Sequence, residues 1–144
     1  MQNNTSFTTW SPLPDELDLG PNHADVWRVF LTVQPDSLQQ MESALSADES
    51  QRASRFHFED DRARYIVAHA NLREILGRYL RCEPHDVKFS TNEYGKPFLP
   101  DHNIEFNLSH SGAYALIAVT RARKVGIDVE FIREDIELEN LASR

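Results

Sequence analysis

Residues 104–131 read IEFNLSHSGAYALIAVTRARKVGIDVEF, and the two-residue period of their apolar side chains decides the fold. Three strands are expected here, over residues 104–108, 114–120 and 124–131. The last two are separated only by residues 121–123, tight enough for an antiparallel hairpin. Ser109, His110, Ser111 and Gly112 then read as a compact polar loop between the first two strands.

Working upstream, residues 87–90 are expected as a short strand and residues 92–95 as a turn. Before them the period changes to that of a helix. Tyr65, Ala68, Leu72, Ile75, Leu76 and Tyr79 recur at three- and four-residue steps, which places one apolar stripe against a sheet. Asp60 and Asp61 suit its start through the helix dipole, and Pro84 is expected to end it. Ser46-Ala47-Asp48-Glu49 fits a capping box, with a short helix running on to about Arg55. Residues 25–33, DVWRVFLTV, read as a strand closed by Pro35 and buried on both faces. Residues 1–24, with Pro12, Pro14, Gly20 and Pro21, read as an extended lead-in to a domain spanning residues 25–144. Trp10 and Leu13 are candidates to pin that lead-in, and Ile136, Leu138 and Leu141 begin a further helical pattern. The expected fold class is α+β: a mainly antiparallel sheet with helices from residues 46–81 packed on one face.

Composition narrows the function classes. A chain of 144 residues, 40% hydrophobic and 26% charged, is sized and composed for one soluble domain. Its net charge of −8 argues against nucleic acid, which needs a basic face. Cys82 is the sole cysteine, so neither a disulfide nor a cysteine zinc site can form within the chain. No apolar run approaches the roughly 20 residues that span a membrane, and no basic-then-apolar leader opens the chain. No membrane partner and a cytoplasmic location are the expectations.

Chemistry concentrates at the end of the quoted stretch. Asp128 and Glu130 are two apart, so a strand presents both carboxylates on one side and Val125, Ile127, Val129 and Phe131 on the other. On spacing alone a plain polar outer face outweighs a cation site. Gly126 moves the balance toward a ligand, since glycine in a strand permits close approach. Two hard oxygen donors suit Mg²⁺, which completes its octahedron with waters and substrate phosphates. Ser109-His110 is a poor nucleophile and base pair, because adjacent residues of an extended chain point to opposite sides. A loop donating from Ser109, His110 and amides near Gly112 to phosphate oxygens remains open beside an ordinary turn. Lys96, in the Tyr94-Gly95-Lys96-Pro97 turn, adds a point charge suited to phosphate, although an ordinary exposed turn lysine is the commoner case.

Taken together these motifs resemble the Sfp-type 4′-phosphopantetheinyl transferases. The matching elements fall in family order: Arg55-Phe56 with Arg64 downstream, Tyr94-Gly95-Lys96-Pro97, Phe106-Asn107-Leu108-Ser109-His110-Ser111, and Gly126-Ile127-Asp128-Val129-Glu130. The resemblance covers residues 25–135, the first of two similar halves related by a two-fold pseudo-repeat. It implies transfer of phosphopantetheine from coenzyme A to a serine of an apo acyl or peptidyl carrier protein, with 3′,5′-ADP leaving. It assigns Mg²⁺ to Asp128 and Glu130, and coenzyme A contacts to Arg52, Arg64, Lys96, Ser109 and His110. Arg64 matches the arginine that meets the 3′-phosphate, and Arg52 a second basic contact. Where relatives can carry another basic residue this chain has Glu49, available instead to the helix cap.

One family element has no counterpart. Relatives carry a Trp/Phe-x-x-Lys-Glu-x-x-x-Lys helix beyond the aspartate strand, whose glutamate is the usual candidate base. No such motif occurs here, so no catalytic base is assigned. A catalytically incomplete half that binds coenzyme A is therefore the alternative expectation. The face that a second half covers would be bare and apolar, which predicts self-association into a homo-oligomer.

Overall fold

The long helix expected from the apolar stripe organises the molecule. The computed structural model describes residues 17–132, in which β1 (Ala24–Phe30), α1 (Pro35–Glu42), α2 (Ala47–Ala53), α3 (Glu59–Leu80), β2 (Ser90–Thr91), β3 (Pro97–Phe98), β4 (Ile104–Ser111) and β5 (Tyr114–Arg121) follow in order. Glu59, Asp60 and Asp61 occupy the first turn of α3, where they complement its dipole. Val67, Ala68, Leu72, Ile75 and Leu76 form its buried stripe and pack on Val29, Phe106, Ala115, Ile117 and Val119 of the sheet. Ile66 and Leu76 are fully buried, each contributing about 1.5–3 kcal/mol through apolar burial. The helix stops before Pro84: Arg81 adopts a left-handed conformation (φ 56°) and caps it, and Pro84 instead opens a 3₁₀ turn, Pro84–Asp86. Gly77 is required nearby, because a Cβ there would lie 2.7 Å from the Cys82 carbonyl oxygen.

The main sheet has the order β1-β5-β4 and is antiparallel throughout, with β2 and β3 forming a separate small hairpin. Helices cover one face, as expected of an α+β domain of this kind. The capping box is present as read: the Glu49 amide donates to Ser46 Oγ, and the Ser46 amide donates to Glu49 Oε2. Tyr79 ties α3 to β1, donating to Asp25 Oδ2 at 2.6 Å and accepting from Trp27 Nε1 at 3.0 Å. Helix α1 was not anticipated. Its signal is Pro35, which closes the strand and also serves the first turn of a helix.

Four expectations are corrected. Strand β1 is buried on one face only; Val26 and Phe30 alternate outward, because the helices cover just one side of the sheet. The strand expected at residues 87–90 shrinks to Ser90–Thr91, since the 3₁₀ turn precedes it. Ser109, His110 and Ser111 belong to β4 rather than to a loop, and the turn is confined to Gly112 and Ala113, with Gly112 at φ 59°. Residues 124–131 do not form a hairpin with β5. Both edges of β5 are already taken by β1 and β4, so no backbone edge remains for a third partner. The lead-in anchors Trp10 and Leu13 and the helical pattern at Ile136, Leu138 and Leu141 lie outside the described residues.

Candidate functional site

Strand β4 builds the site by splitting its side chains between two faces. Ile104 and Phe106 are buried on the helix side, while Asn107, Ser109 and Ser111 share the opposite face. The chain returning from β5 lies against these three polar side chains. The amides of Ile127, Val129 and Phe131 donate to Asn107 Oδ1 at 2.8 Å, Ser109 Oγ at 3.1 Å and Ser111 Oγ at 3.0 Å. Partner numbers rise together, so the segment runs parallel to β4. It forms no strand: side chains hold it in place of a backbone ladder.

That attachment sets the direction of every residue in the segment. Val125, Ile127 and Val129 are half-buried, whereas Gly126, Asp128 and Glu130 are exposed. The two carboxylates therefore share the solvent side, as their spacing predicts. Phe131 departs from that pattern, remaining 68% exposed near Gly112 instead of joining the core. A Cβ on Gly126 would meet no atom within 4 Å, so packing within the chain does not demand glycine there. Ser109 Oγ donates to Asp128 Oδ1 at 3.0 Å and fixes that carboxylate.

Lys96 reaches the same segment from the β2–β3 turn. Its amide and that of Tyr94 donate to Asn92 Oδ1, and its Nζ donates to the Val125 carbonyl oxygen at 3.4 Å. His110 is exposed and alternates away from Ser109, which removes the nucleophile and base pair as a geometric possibility. Arg52 and Arg64 lie on the helical layer. Arg64 pairs with Asp61 at 3.0 Å with its side chain 43% exposed; such an exposed i,i+3 pair is worth about 0.3–0.5 kcal/mol. Among the described residues no hydrogen bond or ion pair joins Arg52 or Arg64 to Lys96, Ser109, His110, Asp128 or Glu130.

Among the described residues no group of three or more His, Cys, Asp or Glu side chains could hold a metal ion. Two exposed carboxylates nonetheless fit Mg²⁺, which takes one or two protein carboxylates alongside substrate phosphates and waters. The donor chemistry suits that ion.

Sequence reasoning missed two features. Asn107 and Ser111 act with Ser109 as amide acceptors; the signal is three short hydrogen-bonding side chains at two-residue spacing. A buried polar hub was missed as well. Arg73, 3% exposed, donates to Glu49 Oε2 at 2.6 Å and to the Pro84 and Val87 carbonyls, and sits over the Phe89 ring. Burial pushes the Glu49 carboxyl up, but hydrogen bonds from His69, the Ser46 amide and Arg73, with the Arg73 charge, outweigh it and lower it to about 2. Its signal is Tyr65, His69 and Arg73 at four-residue steps beside the apolar stripe; Tyr65 and His69 stack at 4.0 Å.

The model of the family described as "4′-phosphopantetheinyl transferase, N-terminal" matches residues 32–122. The chain is 44% identical over 140 residues to the 4′-phosphopantetheinyl transferase HetI of Nostoc sp., covering 94% of this chain and 59% of that protein. It is 34% identical over 89 residues to the 4′-phosphopantetheinyl transferase Sfp of Bacillus subtilis, covering 61% of this chain and 39% of the relative. With the 4′-phosphopantetheinyl transferase gsp of Aneurinibacillus migulanus it shares 34% identity over 99 residues, 68% of this chain and 41% of the relative. The chain thus spans about 39–59% of the length of these curated relatives. No helix among the described residues is long and apolar enough to cross a membrane.

Proposed function

The chain belongs to the 4′-phosphopantetheinyl transferase family, and from that premise we propose that it supplies part of the coenzyme A and Mg²⁺ site for phosphopantetheine transfer to a carrier-protein serine. The observation that carries this reading is the outward presentation of Asp128 and Glu130 on a segment held by β4, with Ser109 fixing Asp128. On this reading Asp128 and Glu130 hold Mg²⁺. When bound, the ion orients the diphosphate bridge and neutralises charge on the leaving group. Lys96 and His110 serve the cofactor phosphates, Ser109 serves the site through Asp128, and Arg52 and Arg64 serve the 3′-phosphate, where a planar bidentate donor fits. The carrier serine hydroxyl gives up its proton to solvent as its oxygen bonds to the β-phosphorus, the bridging P–O bond breaks, and 3′,5′-ADP departs. The partners are an apo acyl or peptidyl carrier protein and coenzyme A, in a cytoplasmic setting.

A second reading is that residues 1–144 bind coenzyme A without transferring phosphopantetheine on their own; among the described residues no group of three or more His, Cys, Asp or Glu side chains could hold a metal ion. Residues 25–144 are then the N-terminal half-domain. Both readings are tested together by calorimetry of coenzyme A with and without Mg²⁺ and by the mass of an apo carrier incubated with the chain. Mg²⁺-dependent binding that Asp128→Ala abolishes supports the site, and a phosphopantetheine mass increment supports transfer. Binding without an increment selects the incomplete half. Binding that keeps its Mg²⁺ dependence in Asp128→Ala removes the ligand role.

The outer sheet face exposes Val26 at 43%, Phe30 at 54% and Tyr114 at 44%. A second copy of the chain across this face is the homo-oligomer the reading carries. Light scattering after size exclusion should show a dimer; a compact monomer at high concentration contradicts it.

A further inference from the structure

We infer that Ser109 is a positioning residue for Asp128, setting the affinity for the divalent cation through that carboxylate; this rests on the cation reading above. A serine hydroxyl has one proton to donate. Here that proton goes to Asp128 Oδ1 at 3.0 Å, while the oxygen accepts from the Val129 amide at 3.1 Å. The flanking acceptors differ. Asn107 receives the Ile127 amide and Ser111 the Phe131 amide, and among the described residues neither is bonded to a carboxylate. Of the three side chains that hang the acidic segment from β4, only the middle one reaches the chemistry.

The physical need for it follows from how the segment is held. A strand in a backbone ladder has its side-chain directions set by the ladder itself. Residues 127–131 have side-chain acceptors in its place, so the Asp128 carboxylate depends on its own hydrogen bond for orientation. Spending one lone pair of Oδ1 on Ser109 leaves Oδ2 and the remaining lone pairs for a cation. Partners of this kind behind a ligating carboxylate are worth 10–100-fold in metal affinity. A phosphate oxygen could take the Ser109 proton only by releasing Asp128, so the two roles compete and can be separated.

The test titrates Mn²⁺, followed by its electron paramagnetic resonance signal, into the chain alone and with coenzyme A. Ser109→Ala should weaken Mn²⁺ binding about 10-fold while Ser109→Thr restores it and Ser111→Ala stays within about twofold of wild type. Unchanged Mn²⁺ affinity with weakened coenzyme A binding overturns the inference in favour of a direct phosphate contact. Equal losses in Ser109→Ala and Ser111→Ala also overturn it, since docking of the segment would then be the cause. Wild type and Asp128→Ala binding Mn²⁺ alike sinks the underlying cation reading, a failure distinct from the other two. Should Ser109→Ala not fold, Ser109→Cys keeps the size with a weak donor and serves the same comparison.

Discussion

The hub around Glu49 and the segment around Asp128 both place acidic side chains, and they do so in opposite ways. Glu49 is 12% exposed and bonded to Arg73, His69 and the Ser46 amide, with Arg73 itself bonded onward to two carbonyls. Asp128 is exposed and has the Ser109 hydroxyl as its side-chain hydrogen bond. The first carboxylate is consumed by the fold. The second retains lone pairs and faces solvent, which is what a ligand for a transient cation requires. Burial and hydrogen-bond saturation thus separate an acid spent on the fold from one left open to solvent more sharply than charge does.

The largest expected effect breaks the hub. Glu49→Ala leaves Arg73 charged and buried without its partner, and should cost about 3–5 kcal/mol in denaturant unfolding. A loss comparable to a surface substitution would show that the pair is not structural. Acid should act in the same direction. The folded-state carboxyl lies at about 2 against an ordinary 4.5, so its contribution is complete above 4.5 and is lost as pH falls toward 2. That shift corresponds to on the order of 3 kcal/mol, and Glu49→Gln should flatten this part of the stability profile. The smallest effect sharpens the other side of the comparison. Asp128→Ala should change stability by no more than about 0.5 kcal/mol, as for an exposed residue outside the core. A loss of several kcal/mol would place Asp128 among the structural acids.

What could be read from the sequence follows the range of the interactions. The capping box at Ser46 and the stripe along α3 are local and periodic, so residue spacing reveals them. The alternation of Asp128 and Glu130 is equally local, and the structure keeps both on one side. The partner of their segment was not legible. Apolar alternation announces an extended chain but does not say whether backbone or side chains receive its amides. Only the order β1-β5-β4 shows that β5 has no free edge, and that order is set by pairings between distant residues. The hub escaped for a related reason: Arg73 looks like a solvent-facing helix residue until Pro84 and Val87 supply their carbonyls.

The claim at the centre is that Asp128 and Glu130 together grip a divalent ion bound to a nucleotide diphosphate. A crystal grown with Mg²⁺ and coenzyme A tests it most directly. The account predicts an octahedral ion touching at least one oxygen of each carboxylate and the diphosphate bridge. Both carboxylates turned to bulk water, with the nucleotide seated elsewhere, would contradict it.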